Sequence, residues 1–190
     1  MLKKVSGLLI GLLATTAVWA APTIEFTTTM GKFTLELFPD KAPLTVEMFL
    51  YNAKHGFYES TTFHRVIDGF MIQGGGFNQS MTKKKVLTPK LKNESDNGLN
   101  NDRGTVAMAR TPDPHSAQVE FFINHKNNDS LNYPNKHDPS GFGYTVFGKV
   151  IQGMDTVDNI AKVATGNSGY YQNVPTTPVI IKEVKVISEK

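Results

Sequence analysis

Residues 62–77 read TFHRVIDGFMIQGGGF. Two short apolar runs within this stretch are joined by the dipeptide Asp68-Gly69. Glycine tolerates positive φ, so an Asp-Gly pair between β-favouring residues is typical of a hairpin turn. The stretch therefore predicts two strands, beginning near Phe63 and Phe70, that meet at a tight bend.

Polar residues and glycines interrupt this apolar pattern. Arg65 lies inside the first run, and Gln73 ends the second. On composition alone, Arg65 is most simply a strand residue that faces water or pairs with a carboxylate, because most charged strand residues are solvated. Residues 74–76 are three glycines. They indicate a place where the backbone bends or where another group approaches it closely.

The run FHRVIDGFMIQGGGF at 63–77 resembles the signature of the cyclophilin-type peptidyl-prolyl cis-trans isomerases, which reads close to FHRVIPGFMIQGG. The shared residues include Arg65, the Phe70-Met71 pair and Gln73. Asp68 stands where the family usually has Pro, in a turn that both residue types favour. The similarity extends over nearly the whole chain from about residue 24 to residue 187.

The rest of the chain predicts an all-β-dominated fold. Helical spacing of apolar residues predicts a helix from Pro43 to His55, ended by Gly56, and a second from Met154 to Val163. Without a βαβ rhythm, this pattern favours an antiparallel barrel or sandwich. The resemblance implies a closed eight-stranded antiparallel barrel capped by two α-helices. Besides the central hairpin, strands are predicted at 23–28, 33–38, 104–109, 119–124, 144–151 and 179–187.

Three polar segments separate these elements. The long segment 78–103 contains Lys83-Lys84-Lys85, which we interpret as a solvated loop because no aromatic residues are interleaved with the lysines. Residues 125–143 predict a surface loop, and residues 165–178 are turn-rich. Neither of these two segments indicates a function.

The first twenty residues predict a secretory signal peptide. A short basic start precedes an apolar run from Val5 to Val18, and the small residues before Ala21 favour cleavage between Ala20 and Ala21. The alternatives are a membrane anchor or a buried helix, but the run is short for a span of about 20 residues. We therefore expect an exported, periplasmic protein whose isomerase domain comprises residues 21–190. The segments GTVAMART and GFGYTVFGKV also look more like the bacterial exported members of the family than the animal cytosolic ones.

Composition limits the possible partners and cofactors. The formal net charge is +3, and removal of residues 1–20 takes away Lys3 and Lys4 and no acidic residue, so a basic nucleic-acid surface is not indicated. The chain has no Cys, and its five His residues show no metal-ligand spacing, so we expect no metal and no cofactor. We also expect a monomer, with no membrane association after signal cleavage.

The resemblance implies a role for each residue that matches a family motif. Arg65 corresponds to the catalytic arginine, and Gln73 to the amide that orients the arginine or the substrate backbone. His64 is interpreted as a structural hydrogen-bonding residue beside the site. Three residues correspond to walls of the proline pocket: Phe70, Met71 and Phe122. Two more are expected to bind substrate: Leu131, which matches the apolar residue after the next turn, and Tyr144, which stands where many members have His. The edge that binds the substrate backbone corresponds to Ala109, Arg110 and Thr111.

Two positions depart from the family pattern. Glu120 stands where Gln is usual, and two consequences stay open: pairing with Arg65 or Arg110, or a change in the preferred residue before proline. Ser130 stands where the family has Trp or another large aromatic residue, which predicts poor sensitivity to cyclosporin. Neither position is the arginine or a wall of the proline pocket.

The resemblance thus implies an enzyme that accelerates rotation about X-Pro peptide bonds and assists the folding of exported proteins. Its partners would be proline-containing unfolded or partly folded polypeptides, in which slow prolyl isomers limit folding. The alternative is a proline-peptide-binding chaperone or docking module with little turnover. Arg65 disfavours this alternative, because binding of a proline ring alone does not need its guanidinium.

Overall fold

The computed structural model describes residues 21–189, so the predicted signal peptide at 1–20 lies outside the described residues. The described chain forms one eight-stranded sheet, a separate hairpin and two α-helices. The elements in chain order are β1 (Thr23–Thr28), β2 (Gly31–Leu37), α1 (Pro43–Lys54), β3 (Thr61–Ile67), β4 (Met71–Asn78), β5 (Thr105–Met108), β6 (Phe121–Asn124), β7 (Val146–Gln152), α2 (Met154–Ala161), β8 (Thr165–Ser168), β9 (Tyr171–Pro175) and β10 (Ile181–Ser188).

The large sheet is antiparallel throughout and curves round on itself. Its strand order is β10-β1-β2-β7-β5-β6-β4-β3. The segments at its two edges meet where Ser60 N donates to Ile181 O at 2.8 Å and Phe63 N donates to Val179 O at 3.0 Å. The predicted eight-stranded antiparallel barrel with two helices is confirmed. Joining the edge strands also removes unpaired backbone groups that would otherwise invite association with other chains.

Aromatic side chains fill the inside of the barrel. Phe26 stacks on Phe33 with ring centroids 5.0 Å apart, and Phe49 of α1 lies 4.8 Å from Phe147. Helix α1 thus covers the core with the apolar stripe that the sequence predicted, in which Val46, Phe49 and Ala53 are buried. Gly56 follows the helix with φ +67°, as expected for a left-handed cap.

Two boundary predictions are corrected by the structure. Phe70 belongs to the turn and β4 begins at Met71, because Gly69 has φ +64° and Phe70 N donates to Ile67 O at 3.1 Å. The segment 165–178, which the sequence predicted to be turn-rich and for which no strand was expected, contains the β8–β9 hairpin. This hairpin is mostly solvent-exposed, so its sequence lacks the apolar alternation that would reveal a half-buried strand.

The loop at 125–143 is held in place by Arg110. The Arg110 side chain is only 2% exposed, and its Nη2 lies 2.7 Å from Asp138 Oδ2. The same guanidinium donates to the carbonyl oxygens of Phe142 and Gly143 at 2.8 and 3.2 Å. The loop also contains a short 3-10 turn at Asp129–Leu131. A buried arginine therefore gives this polar loop a defined position beside the barrel.

Candidate active site

Arg65 and Gln73 are paired across the hairpin formed by β3 and β4. The same register pairs Ile67 with Met71. Since alternate residues of a strand point to the same side of a sheet, these four side chains share one face. Arg65 and Gln73 are both half-buried. This face of the hairpin therefore carries a cation next to apolar side chains.

The side-chain amide of Gln73 is hydrogen-bonded at both ends. Arg65 Nη1 donates to its oxygen at 3.5 Å, and its Nε2 group donates to Glu120 Oε2 at 3.0 Å. A carboxylate only accepts hydrogen bonds, so it must face the NH₂ end of the amide. The amide oxygen is consequently turned toward Arg65. The contact between Gln73 and Arg65 agrees with the orienting role that the resemblance implied for Gln73.

Glu120 is the centre of a cluster of charges. Its Oε1 lies 3.3 Å from Lys83 Nζ and its Oε2 lies 3.4 Å from His64 Nε2. Burial acts to raise the pKa of Glu120, but the hydrogen bond and charge of His64, the charge of Lys83 and the hydrogen bond from Gln73 together lower this pKa below its ordinary value. Glu120 is therefore ionised at neutral pH. Among the described residues, its ion-pair partners are Lys83 and His64, so the pairing with Arg65 or Arg110 that the sequence left open is not observed.

A second, smaller apolar cluster lies next to Arg65 on the outside of the main core. Met71 and Phe122 are buried within it, and Tyr144 meets the Phe122 ring edge-on at 5.6 Å. Phe70 and Leu131 pack against the same cluster and are partly buried. Strict strand alternation would place Phe70 and Met71 on opposite faces of the sheet. Because Phe70 lies in the turn, this alternation does not apply to it, and its side chain can pack on the same side as Met71. The three predicted walls of the proline pocket thus lie in one cluster with the other two apolar residues predicted to bind substrate, Leu131 and Tyr144.

The edge predicted to bind the substrate backbone directly follows β5. Ala109 packs against the small apolar cluster, and its N–H donates to Glu120 O at 2.9 Å. The N–H of Thr111 donates to Ser116 Oγ at 2.9 Å. Because the Arg110 side chain is buried against the 125–143 loop and lies 4.6 Å over the Tyr144 ring, only its main chain is left to meet a substrate.

Comparison with known proteins places this arrangement in a family. Residues 23–186 match the family model described as cyclophilin type peptidyl-prolyl cis-trans isomerase/CLD. The chain is 53% identical over 163 residues to peptidyl-prolyl cis-trans isomerase B of Escherichia coli (strain K12), covering 86% of this chain and 98% of that protein. It is 45% identical over 195 residues to peptidyl-prolyl cis-trans isomerase A of Dickeya dadantii (strain 3937), covering the whole of both chains.

The chain belongs to the cyclophilin-type peptidyl-prolyl cis-trans isomerase family. It is an isomerase, and enzymes of this family act on proline-containing peptides. A crystal structure of a cyclophilin-type isomerase from Cryptosporidium parvum matches its fold with a TM-score of 0.74 at 26% identity, covering 90% of this chain and 99% of that chain. The fold and the enzyme class implied by the resemblance are therefore confirmed.

Sequence reasoning missed some residues around the cyclophilin site. Lys83 was expected in a solvated loop, but it pairs with Glu120 and lies 5.9 Å from the Phe77 ring. Tyr170 and Tyr171 line a pocket together with Arg65, although their segment was predicted only as turns. His64, interpreted from the sequence as a structural hydrogen-bonding residue, lies with its Nε2 3.4 Å from Glu120 Oε2. The missed contacts join segments far apart in the chain, so local sequence patterns carry no signal for them.

Two further features concern cofactors and membranes. Between residues 21 and 189, no group of three or more His, Cys, Asp or Glu side chains is arranged to hold a metal ion. In the same part of the chain, no helix is long and apolar enough to cross a membrane.

Proposed function

We propose that Arg65 is the catalytic residue of this isomerase. Rotation about an X-Pro bond faces a barrier of about 18–20 kcal/mol, and no covalent bond is made or broken. In the twisted state the prolyl nitrogen regains a lone pair that accepts a hydrogen bond. The guanidinium is a donor that stays charged at any working pH. The single observation that carries the proposal is that Arg65 is half-buried, held by Gln73 and directly beside the small apolar cluster.

The apolar cluster supplies the second part of the mechanism. Planar amides are more dipolar than twisted ones, so a pocket that excludes water favours the twisted state. A charge-assisted hydrogen bond contributes about 1.5–3 kcal/mol, whereas an acceleration of some five decades needs about 7 kcal/mol. The proline pocket must therefore supply the rest by positioning and desolvation. We assign its walls to Phe70, Met71, Phe122, Leu131 and Tyr144.

The substrate backbone lies, in this proposal, along Ala109, Arg110 and Thr111, with Gln73 and Glu120 at the end of that edge. These five residues line one shared pocket. One solved structure of the Cryptosporidium relative was determined in the presence of the dipeptide Ala-Pro. Its fold matches this chain with a TM-score of 0.73, which supports a proline-containing ligand in the corresponding place here.

We also propose that the protein is exported and that its clients are unfolded or partly folded exported polypeptides. The basic start and apolar run of residues 1–20 support a cleaved signal peptide. The family match begins only at residue 23, which supports a catalytic domain that starts close to the proposed cleavage after Ala20. In this view the mature enzyme is a monomer.

Exchange between the cis and trans forms of a short X-Pro peptide, followed by NMR, tests the catalytic assignment. The mature protein from Ala21 is compared with Arg65→Ala and with Lys54→Ala. The second variant removes an exposed cation that pairs with Glu189 and does not line either pocket at Gln73. Loss of a charged hydrogen bond predicts a fall in kcat/KM of roughly tenfold to a hundredfold for Arg65→Ala. No change is expected for Lys54→Ala.

Two other results would argue against the assignment. Arg65→Ala with wild-type kcat/KM would remove Arg65 from the mechanism. A mature protein that binds the peptide without accelerating its exchange would instead be a proline-binding module, with turnover incidental to its role.

A further inference from the structure

A pocket of about 520 Å³ lies on the side of Arg65 that faces the β8–β9 hairpin. This hairpin pocket is lined by Arg65 and Gln73 from the β3–β4 hairpin and by Tyr170 and Tyr171 from the β8–β9 hairpin. Tyr171 is held against the barrel, because its ring meets the Phe77 ring edge-on at 5.2 Å. The pocket is therefore continuous with the proposed catalytic residue and is walled by two tyrosines that the proline pocket does not use.

A different pocket, of about 200 Å³, leads away from Arg65 along Ala109 and Thr111. The two pockets share Gln73, Lys83 and Glu120, so the ion pair between Lys83 and Glu120 stands at their boundary. A bound polypeptide places the residues on one side of its proline along the Ala109 edge. The residues on the other side of the proline then lie at the hairpin pocket.

The two tyrosines are placed differently. Tyr170 follows Gly169, which has φ +57°, and its side chain is fully exposed at the end of the hairpin. Tyr171 is about half exposed. Tyrosine offers a large contact area at a low entropy cost because only two side-chain torsions must be fixed. An exposed tyrosine beside a half-buried one therefore suits contact with an apolar side chain of a bound polypeptide.

The charges around the hairpin pocket disfavour a basic ligand. Arg65 and Lys83 present cationic groups, and the Lys83 side chain is 61% exposed. The one carboxylate in the lining, Glu120, is mostly buried and already bound by Lys83, His64 and Gln73. A lysine or arginine of the ligand would thus find like charges and no free acceptor among the lining carboxylates.

We propose that the hairpin pocket is a second substrate subsite, in which Tyr170 and Tyr171 bind a large apolar or aromatic side chain on one flank of the isomerised proline. This inference rests on the proposed function, because it assumes that the prolyl bond lies at Arg65. It makes the enzyme selective for exposed apolar segments, which are the segments that unfolded polypeptides present.

The test compares kcat/KM for peptides of different length. A four-residue X-Pro peptide is used alone and with five residues added on either side, and each extension carries Phe, Ser or Lys at a fixed position. The mature protein is compared with Tyr170→Ala and Tyr171→Ala. Tyr51→Ala serves as the matched control, because Tyr51 is 53% exposed on helix α1 and lies outside both pockets.

We expect Tyr170→Ala and Tyr171→Ala to lower kcat/KM by roughly three- to tenfold, as for tyrosines at an interface. This loss should occur for Phe peptides extended on one flank of the proline and not for those extended on the other flank. The lower kcat/KM should result from a higher KM, and kcat/KM for the short peptide and for the Ser peptides should stay unchanged. The wild-type enzyme should prefer Phe to Ser and Ser to Lys.

Three results would overturn the subsite. They are an equal loss for short and extended peptides, no loss for any peptide, or a wild-type preference for the Lys peptides. Failure of the underlying function gives a different result, because Arg65→Ala would then leave catalysis of the short peptide intact. Since Tyr170 is fully exposed, its replacement leaves the fold unchanged.

Discussion

Gln73 donates its side-chain N–H to Glu120 at 3.0 Å, and this bond determines which end of the amide faces Arg65. The family usually has Gln in place of Glu120, and a glutamine side chain offers both a donor and an acceptor. The carboxylate accepts only, so it permits one orientation of the Gln73 amide. Glu120 is thus placed to position Arg65 through Gln73.

Replacement of Glu120 is expected to weaken catalysis without abolishing it. Glu120→Leu leaves the Gln73 amide free to turn, and we expect kcat/KM to fall about three- to tenfold, equivalent to roughly 1 kcal/mol of positioning. Glu120→Gln keeps an acceptor and should recover most of the activity. NMR exchange on a short X-Pro peptide measures both variants. Wild-type activity in Glu120→Leu would show that the amide needs no partner.

Gly76 allows Glu120 to reach this position. A Cβ atom at residue 76 would lie 2.5 Å from Glu120 Cγ, closer than real Cβ contacts. Gly76→Ala should therefore displace Glu120 and reproduce the loss expected for Glu120→Leu. Gly166→Ala is the matched control, since its added Cβ would have ordinary contact with Thr176 at 3.7 Å. Equal kinetics for the two glycine variants would contradict the steric argument.

The loop at 125–143 should loosen in acid. Hydrogen bonds from Ser140 and Arg110 lower the pKa of Asp138 to about 2. A carboxyl group whose pKa is lower in the folded state contributes stability above its unfolded pKa, and that contribution is lost as the pH falls toward the folded value. The loss should thus occur between about pH 4, the ordinary range of Asp, and pH 2.

Amide hydrogen exchange of residues 129–143 between pH 5 and pH 2 measures this loosening, after correction for intrinsic rates. Asp138→Asn should already show the faster exchange at pH 5 and little further change. Asp40→Asn is a control on an exposed carboxylate. If the wild-type loop keeps the same protection from exchange down to pH 2, protonation of Asp138 does not loosen it and the prediction is wrong.

Cyclosporin should inhibit this enzyme poorly. Ser130 lies exposed in the 3-10 turn before Leu131, where the family has a large aromatic residue. Without that ring, we expect the inhibitor to lose one apolar contact beside the proposed proline pocket. Inhibition assays on the wild type and on Ser130→Trp should show a lower inhibition constant for the variant. A submicromolar constant for the wild type would contradict the prediction.

The sequence pattern predicted most of the strands and an antiparallel barrel or sandwich, and the family resemblance favoured the barrel. Short-range physics explains this success: the spacing of Val46, Phe49 and Ala53 defines the buried face of α1, and Asp68-Gly69 defines the central turn. These signals depend on residues within one turn of helix or one hairpin. The same local run, through its resemblance to a family, also named Arg65 and Gln73 before their contact was observed.

Only the tertiary structure decided what surrounds Arg65. The sequence left the partners of Glu120 open, and they proved to be Lys83 and His64 together with Gln73. Tyr170 comes beside Arg65 although about a hundred positions separate them in the chain. Local periodicity reports which face of an element is buried, whereas the neighbours across a barrel depend on how distant strands and loops close. The scaffold and the central run with Arg65 and Gln73 could therefore be predicted from the sequence, whereas the charge cluster and the hairpin pocket could not.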